Sequence, residues 1–280
     1  MTITAGLLLM AGLQADTTIT VTRGMRLELS QHQGTITVHT WDRSEVRVST
    51  GTTGGQGRSP EVAVHGETVR IGSGSRGWNG YDETNFTLTV PAWLDLDLST
   101  HEGGINIDGS RARLNLNSVE GDINVNGGRD FLSIQTVEGM VTIRNAQGRI
   151  EINAVEGDLR LIDISGSVNA QTVDGSVIVG PADLTELQVN TVDGDIRYRG
   201  PIESGGRYRL NTHDGDLVVE VQGDLNAVVS VSTFDGNFES GFPITLTGTS
   251  KRQFRFTSGS GDARLDLESF DGNIFLRHAP

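Results

Sequence analysis

The sequence predicts an all-β fold: a parallel β-solenoid, β-helix-like, with two short strands per coil of about 18 residues and an N-terminal β cap. Three observations predict it. A six-residue motif recurs at near-constant spacing, apolar residues alternate with period two on both sides of it, and the chain is rich in Gly but poor in Pro. Gly supplies 37 of 280 residues and Pro only 6. That balance suits many tight turns between short strands and excludes a collagen-like or Pro-rich chain. No stretch shows a helical period.

The elements follow in chain order. Residues 5–13, Ala-Gly-Leu-Leu-Leu-Met-Ala-Gly-Leu, form a short apolar run. It reads as the core of a signal peptide cleaved after Ala15, although no Lys or Arg precedes it; the other reading is a buried strand. It is too short to span a bilayer, and no other segment is apolar enough to do so. Residues 16–98 are expected to form the N-terminal β cap. Within them, the segment Leu27–Val38 fits the coil pattern with Gln33 in the acidic position, as a degenerate first coil. Residues 45–50, 61–65, 68–71 and 86–90 alternate without the motif, and Gly51–Pro60 and Gly72–Tyr81 read as loops. The cap has a physical purpose, because an open sheet edge invites aggregation.

Residues 99–280 are expected to form the repeat solenoid, continuous with the cap. Thr100-His101-Glu102-Gly103-Gly104-Ile105 opens the series, and Ser118-Val119-Glu120-Gly121-Asp122-Ile123 is a full copy. Further copies centre on Glu138-Gly139, Glu156-Gly157, Asp174-Gly175, Asp193-Gly194, Asp214-Gly215 and Asp235-Gly236, and Ser269-Phe270-Asp271-Gly272-Asn273-Ile274 closes the series. From Gly103 the first four steps are 18 residues, and the next three are 19, 21 and 21. Alternating segments such as Leu114-Asn115-Leu116 and Ile123-Asn124-Val125 flank each motif, as half-buried strands do. A second turn, often marked by Gly as at Gln147-Gly148 or Ser165-Gly166, completes the coil. Equivalent residues then stack in columns about 4.8 Å apart. Ser118, Thr136, Ala154, Thr172, Thr191, Thr212 and Thr233 form a small inward column. Asn117, Gln135, Asn153, Gln171, Asn190 and Asn211 form an outward amide column able to hydrogen-bond along its length. An antiparallel meander is the rival topology, since Asp-Gly also signals a hairpin. Phe254–Ala263 reads as a degenerate coil. The last step, Gly261 to Gly272, spans only 11 residues, so the C-terminus is expected to be irregular and capping.

The motif Val119-Glu120-Gly121-Asp122-Ile123 and its copies, with the segment Phe86-Thr87-Leu88-Thr89-Val90-Pro91 before the first of them, resemble the bacterial putative-adhesin family of unknown function. Its units are also described as toastrack-like domains. The resemblance covers roughly residues 20–277. It implies a β-helix-like fold, an exported or membrane-tethered protein, and a role in adhesion or in partner binding in envelope-stress responses. It brings no catalytic residues.

The charge balance narrows the partners. A formal net charge of −14 makes nucleic acid and anionic lipid poor partners. The absence of Cys excludes disulfides, thiolate metal sites, Cys nucleophiles and Cys acylation. The acidic column, Glu102, Glu120, Glu138, Glu156, Asp174, Asp193, Asp214 and Asp235, reads as turn-forming. Its carboxylates would accept backbone N–H bonds while Gly103, Gly121, Gly139, Gly157, Gly175, Gly194, Gly215 and Gly236 supply positive φ. The competing reading is a Ca²⁺ site, for which Asp193, Asp195, Asp214 and Asp216 are the candidates. Val119, Val137, Val155, Val173 and Val192, extended by His213, Phe234 and Phe270, form an outward apolar stripe that either packs under turns or meets a partner. Trp41-Asp42-Arg43 and Trp78 could stack on sugars. Arg160 and Arg197 share a column with Ile178 between them. His101 and His213 share a column but lie six coils apart, and no set of residues meets the geometric needs of catalysis. The expectation is a non-enzymatic, exported, adhesin-like or envelope interaction protein at the periplasm or cell surface, without cofactor or assigned metal. Its partner would be an envelope or cell-surface protein or a glycan. The alternative is a carbohydrate-active enzyme or carbohydrate-binding module.

Overall fold

The alternating segments form strands, and in the computed structural model each strand stacks on its own repeat. The structure describes residues 17–51, 60–72, 83–243, 246–250 and 253–280. The signal segment, Trp78, Lys251 and nearly all of the two expected loops lie outside the described residues. Two sheets, of 13 and 14 strands among the described residues, enclose one hydrophobic core. Strands before the motif Gly make one sheet and strands after it make the other. Among the described residues no helix is long and apolar enough to cross a membrane.

The register is in phase with the repeat. Leu114 pairs with Leu132, Leu116 with Ile134 and Ser118 with Thr136, all in parallel. On the opposite sheet Ile123 pairs with Val141 and Val125 with Ile143. Neighbouring coils therefore pair in parallel, not as a meander, because the Gly corner passes the chain to the facing sheet instead of back along its own. Leu116, Ile123, Ile134 and Val141 are fully buried. Each such side chain contributes about 1.5–3 kcal/mol through burial, and only coils stacked on both sides can bury it. At the second turn, strands already begin at Gln147 and Ile164. The glycines that the sequence marks there, Gly148 and Gly166, do adopt positive φ, and Asn145 and Asp163 upstream of them are left-handed as well.

At the N-terminal end the sheets begin with a coil and its cover. Arg26–Gln33 and Ile36–Trp41 form the first coil, stacked on Asp95–Glu102 and Ile105–Ser110. Outside it lie Thr68–Gly72 and Asn85–Pro91, both in parallel register with that coil. Antiparallel strands then finish the edges: Glu61–His65 on one sheet, and Glu45–Gly51 followed by Thr17–Thr20 on the other.

The C-terminal end departs from expectation in two ways. First, the last residues are not irregular. Ala263–Asp271 and Ile274–His278 make a full coil, inserted between the coil of Arg207–Val221 and that of Ala227–Ser240. The short Gly261–Gly272 step is possible because the preceding segment, Gln253–Ser258, is not a coil at all. It is an antiparallel strand on Ala227–Asp235, with Leu246–Ser250 beyond it. Second, the spatial order of the motifs is therefore Asp214, Asp271, Asp235, which chain order does not reveal. The inserted coil is pinned by Arg277 Nη2, 2.7 Å from the buried Glu220 carboxylate on the adjoining strand. Nearby, the buried rings of Tyr198 and Tyr208 lie 5.6 Å apart. Tyr198 donates to the Pro201 carbonyl and Tyr208 accepts the Glu203 N–H, which fixes the intervening loop. Burial pushes both phenols up.

Candidate functional site

Each coil turns from one sheet to the other through an alternation that ends at Gly. The amide position points out, the small Ser/Thr/Ala position points in and is buried, and the Val/His/Phe position points out again. A small buried floor between two outward columns makes a trough. From Asn153 to Phe234 it has a volume of ≈ 860 Å³. A second stretch of ≈ 390 Å³, from Ser99 to Val155, shares Asn153 and Ala154 with the first. The two form one groove crossing the coils at right angles to the strands.

One wall of the groove is apolar and wet. Val137, Val155, Val173 and Val192 are exposed, and Phe270 and Phe234, at the C-terminal end, are 47% and 49% exposed. The stripe does not fold under the turns. Phe270 stacks on His213 with ring centroids 4.7 Å apart, and on Phe234 at 4.6 Å with planes only 5° apart. Rings stacked this closely cover one another's faces and turn their exposed edges outward, as an apolar rim to the groove.

The opposite wall carries Asn117, Gln135, Asn153, Gln171, Asn190 and Asn211 in successive register. The expectation that they bond to one another is not met: none of their side chains makes a hydrogen bond among the described residues. Amide ladders occur elsewhere, at Asn124 to Asn106, Asn126 to Asp108 and Asn145 to Asn126. The groove amides therefore keep both donor and acceptor capacity facing solvent. Several floor hydroxyls, by contrast, are used locally: Thr212 Oγ1 donates to Gly194 O at 3.0 Å and Ser269 Oγ to Gly215 O at 3.0 Å, whereas Thr100 Oγ1 and Ser118 Oγ have no partner among the described residues.

The acidic column lies just past the apolar wall. Its register holds coil by coil, Glu102 to Glu120 to Glu138 and on through Glu156, Asp174, Asp193 and Asp214. Its bonding differs from the expected pattern. The backbone carbonyl, not the carboxylate, of each of these residues accepts the Gly N–H of the coil before, as in Gly103 to Glu120 and Gly194 to Asp214. The side-chain acceptor is the residue after the Gly. Asp122 Oδ1 takes the Met140 N–H at 2.9 Å, Asp158 that of Ser176, Asp195 that of Asp216, and Asp216 that of Asn273. Two of the Ca²⁺ candidates, Asp195 and Asp216, thus already use one oxygen on backbone. Gly is required twice over at Gly121. Its φ is +132°, and a Cβ there would lie 2.5 Å from the Gly103 carbonyl oxygen.

The remaining sequence candidates lie apart from the groove. Trp41 donates to Glu45 O at 2.7 Å, and Arg43 and Arg47 sit 5.2 and 5.3 Å from its ring, so that face is taken by cations. Arg160 and Arg197 do flank Ile178 in register, on the other sheet. His213 belongs to the aromatic stack. His101 has a neighbour that sequence reasoning missed. His32, one position before Gln33-Gly34, falls on the coil directly adjacent, and the two rings are 4.8 Å apart. Aligning the first coil by its Gly would have placed His32 over His101.

Comparison with known proteins agrees with this architecture. The family model described as Toastrack DUF4097 matches residues 24–277. Among solved structures, the chain is similar to a putative cell adhesion protein from Clostridium sporogenes, at 9% identity over 95% of this chain and 99% of that one, with a TM-score of 0.20. It is similar also to a putative adhesin from Bacteroides fragilis, at 12% identity over 94% and 96% of the two chains, with a TM-score of 0.38. No curated protein matches it. With scores this low, the family match alone carries the assignment.

Proposed function

The chain belongs to the Toastrack DUF4097 family, and from that premise we propose that it is a non-enzymatic, exported, adhesin-like protein whose groove receives an extended, uncharged glycan at the cell surface or envelope. One observation carries this reading: a column of amides without side-chain partners faces a column of exposed Val and Phe along a continuous trough. Amides match the mixed donor and acceptor pattern of sugar hydroxyls, and the exposed Val methyls and aromatic edges match the apolar faces of pyranose rings. The adjacent carboxylates disfavour an acidic polymer. The apolar run of residues 5–13 supports export. The acidic column itself is read as part of the turn scaffold, with no dedicated cation.

The test is a panel of neutral and acidic polysaccharides scored for retention on immobilised protein and for cleavage. Retention of neutral chains, weakened by N190A together with N211A and by F270A, is the expected result. Cleavage of any chain would move the assignment to a carbohydrate-active enzyme. Retention of acidic chains alone, or unchanged retention by the variants, would remove the groove from the mechanism.

A further inference from the structure

The apolar column changes character where it reaches the N-terminal coils. In place of Val stand His101 and, on the neighbouring coil, His32, with Glu102 beside them. The strands that carry them pair in parallel, Gln31 to Thr100 and Gln33 to Glu102, so both imidazoles leave the sheet on the same side. The rings are tilted by 38°, not stacked flat. The ligand atoms of His32, His101 and Glu102 all lie within 4.8 Å of one another, and no other such trio of His, Asp or Glu occurs among the described residues. Two ligands on opposite sides of a Zn²⁺ ion can be at most about 4.2 Å apart, given bonds of about 2.0–2.2 Å. Small rotations of side chains on a fixed backbone close that difference. The backbone below is held by the Gln31 amide, which donates to the Gly34 carbonyl. This corner also carries two buried oxygens without partners, Gln31 Oε1 and Thr100 Oγ1, each one residue before a His.

We infer that His32, His101 and Glu102 form a binding site for a divalent transition-metal ion of the Zn²⁺ class, with solvent completing its coordination. Two imidazoles and one carboxylate are a borderline ligand set that suits Zn²⁺ and Cu²⁺, and suits Ca²⁺ or Mg²⁺ poorly. The acidic column that starts at Glu102 raises the local cation concentration. The site does not depend on the groove reading, because none of its three residues lines the groove.

The experiment uses the whole chain, freed of metal by chelation and titrated calorimetrically with Zn²⁺. One ion per chain is expected to bind, with affinity falling at least about tenfold, or about 1.4 kcal/mol, in H32Q, in H101Q and in E102Q. H65Q, on a separate exposed strand, should bind as the parent does. Added Ca²⁺ should not compete. Cu²⁺ on the unmodified protein supplies a reading that needs no variant: its electron paramagnetic resonance spectrum should show coupling to two imidazole nitrogens. No saturable 1:1 binding, unchanged affinity in H32Q and H101Q, or a Cu²⁺ spectrum without nitrogen coupling would each overturn the site.

Discussion

The two ends of the solenoid end an open stack in the same way, from opposite directions along the chain. At the N-terminal end the first coil, Arg26–Trp41, is laid down and then covered from outside by Thr68–Gly72 and Asn85–Pro91 before the chain returns at Asp95. At the C-terminal end the outer coil, Ala227–Ser240, is placed early, and the last residues slide in beneath it. Both ends place a terminal coil between two others; antiparallel strands finish both sheets at the N-terminal end but only one at the C-terminal end, where the other sheet stops at the short parallel strand Phe238–Ser240. They differ also in when the locking coil becomes available. At the N-terminus it exists before its cover is built. At the C-terminus the stack is not closed until residue 278 has been made, which leaves a slot that non-local contacts must fill.

Truncation should show the largest difference. A chain ended after Asp262 loses Leu265, Leu267, Ile274 and Leu276 from the core, each contributing upward of about 1.5 kcal/mol. It also leaves the Asp214 and Asp235 coils without the coil between them. Hydrogen exchange should lose protection across residues 207–240 while residues 95–179 keep theirs. Removing Thr17–Thr20, a half-buried edge strand, should have a far smaller effect. Equal loss from both truncations would mean that the inserted coil is not the lock.

Single charges in the core come next. I123D in the middle of the stack and I274D in the inserted coil both bury an unpaired carboxylate, at a cost of more than about 4 kcal/mol. If the ends fold with the middle, both variants lose the cooperative melt. A two-step melt for I274D alone would show that the C-terminal end unfolds separately.

Smaller again is the contrast between glycines. G121A meets both the left-handed backbone and the Gly103 carbonyl, and is expected to cost about 3 kcal/mol. G24A, at φ +93° with open space around it, should cost about 1–2 kcal/mol. Comparable urea midpoints would mean that neighbouring coils give way easily. F270A should lower stability by only about 1 kcal/mol, because the ring is half exposed. The smallest effect is ionic. Salt should raise the melting temperature slightly by relieving the carboxylate column, with Ca²⁺ and Mg²⁺ equivalent at equal ionic strength. A rise of several degrees specific to Ca²⁺, lost when Asp193, Asp195, Asp214 and Asp216 become Asn, would establish the cation site instead.

The regular middle was legible because every coil repeats the same physical problem, so one motif predicts strand, corner and register together. Gln33-Gly34 was recognisable as a coil even with its acid replaced. The C-terminal order was not legible, since the Asp214, Asp235 and Asp271 motifs are interchangeable in sequence and only packing decides which lies between the others. The roles within the corner were partly hidden for a similar reason. Both Glu120 and Asp122 can accept a backbone N–H, and the direction of Asp122 toward Met140 appears only in three dimensions. The groove walls were present in the sequence as two columns, yet which amides were already bonded depended on neighbours across the coil.

The glycine column also sets the terms on which such a molecule can change length. Because each Gly sits hard against the one below it, a corner tolerates little editing from within, whereas a whole coil copied in frame reproduces every contact that it needs. Both locked ends would be untouched by such a duplication in the middle. The groove would grow by one further rung, about 4.8 Å, so the protein is built as a ruler whose reach is set by the number of coils between fixed stops.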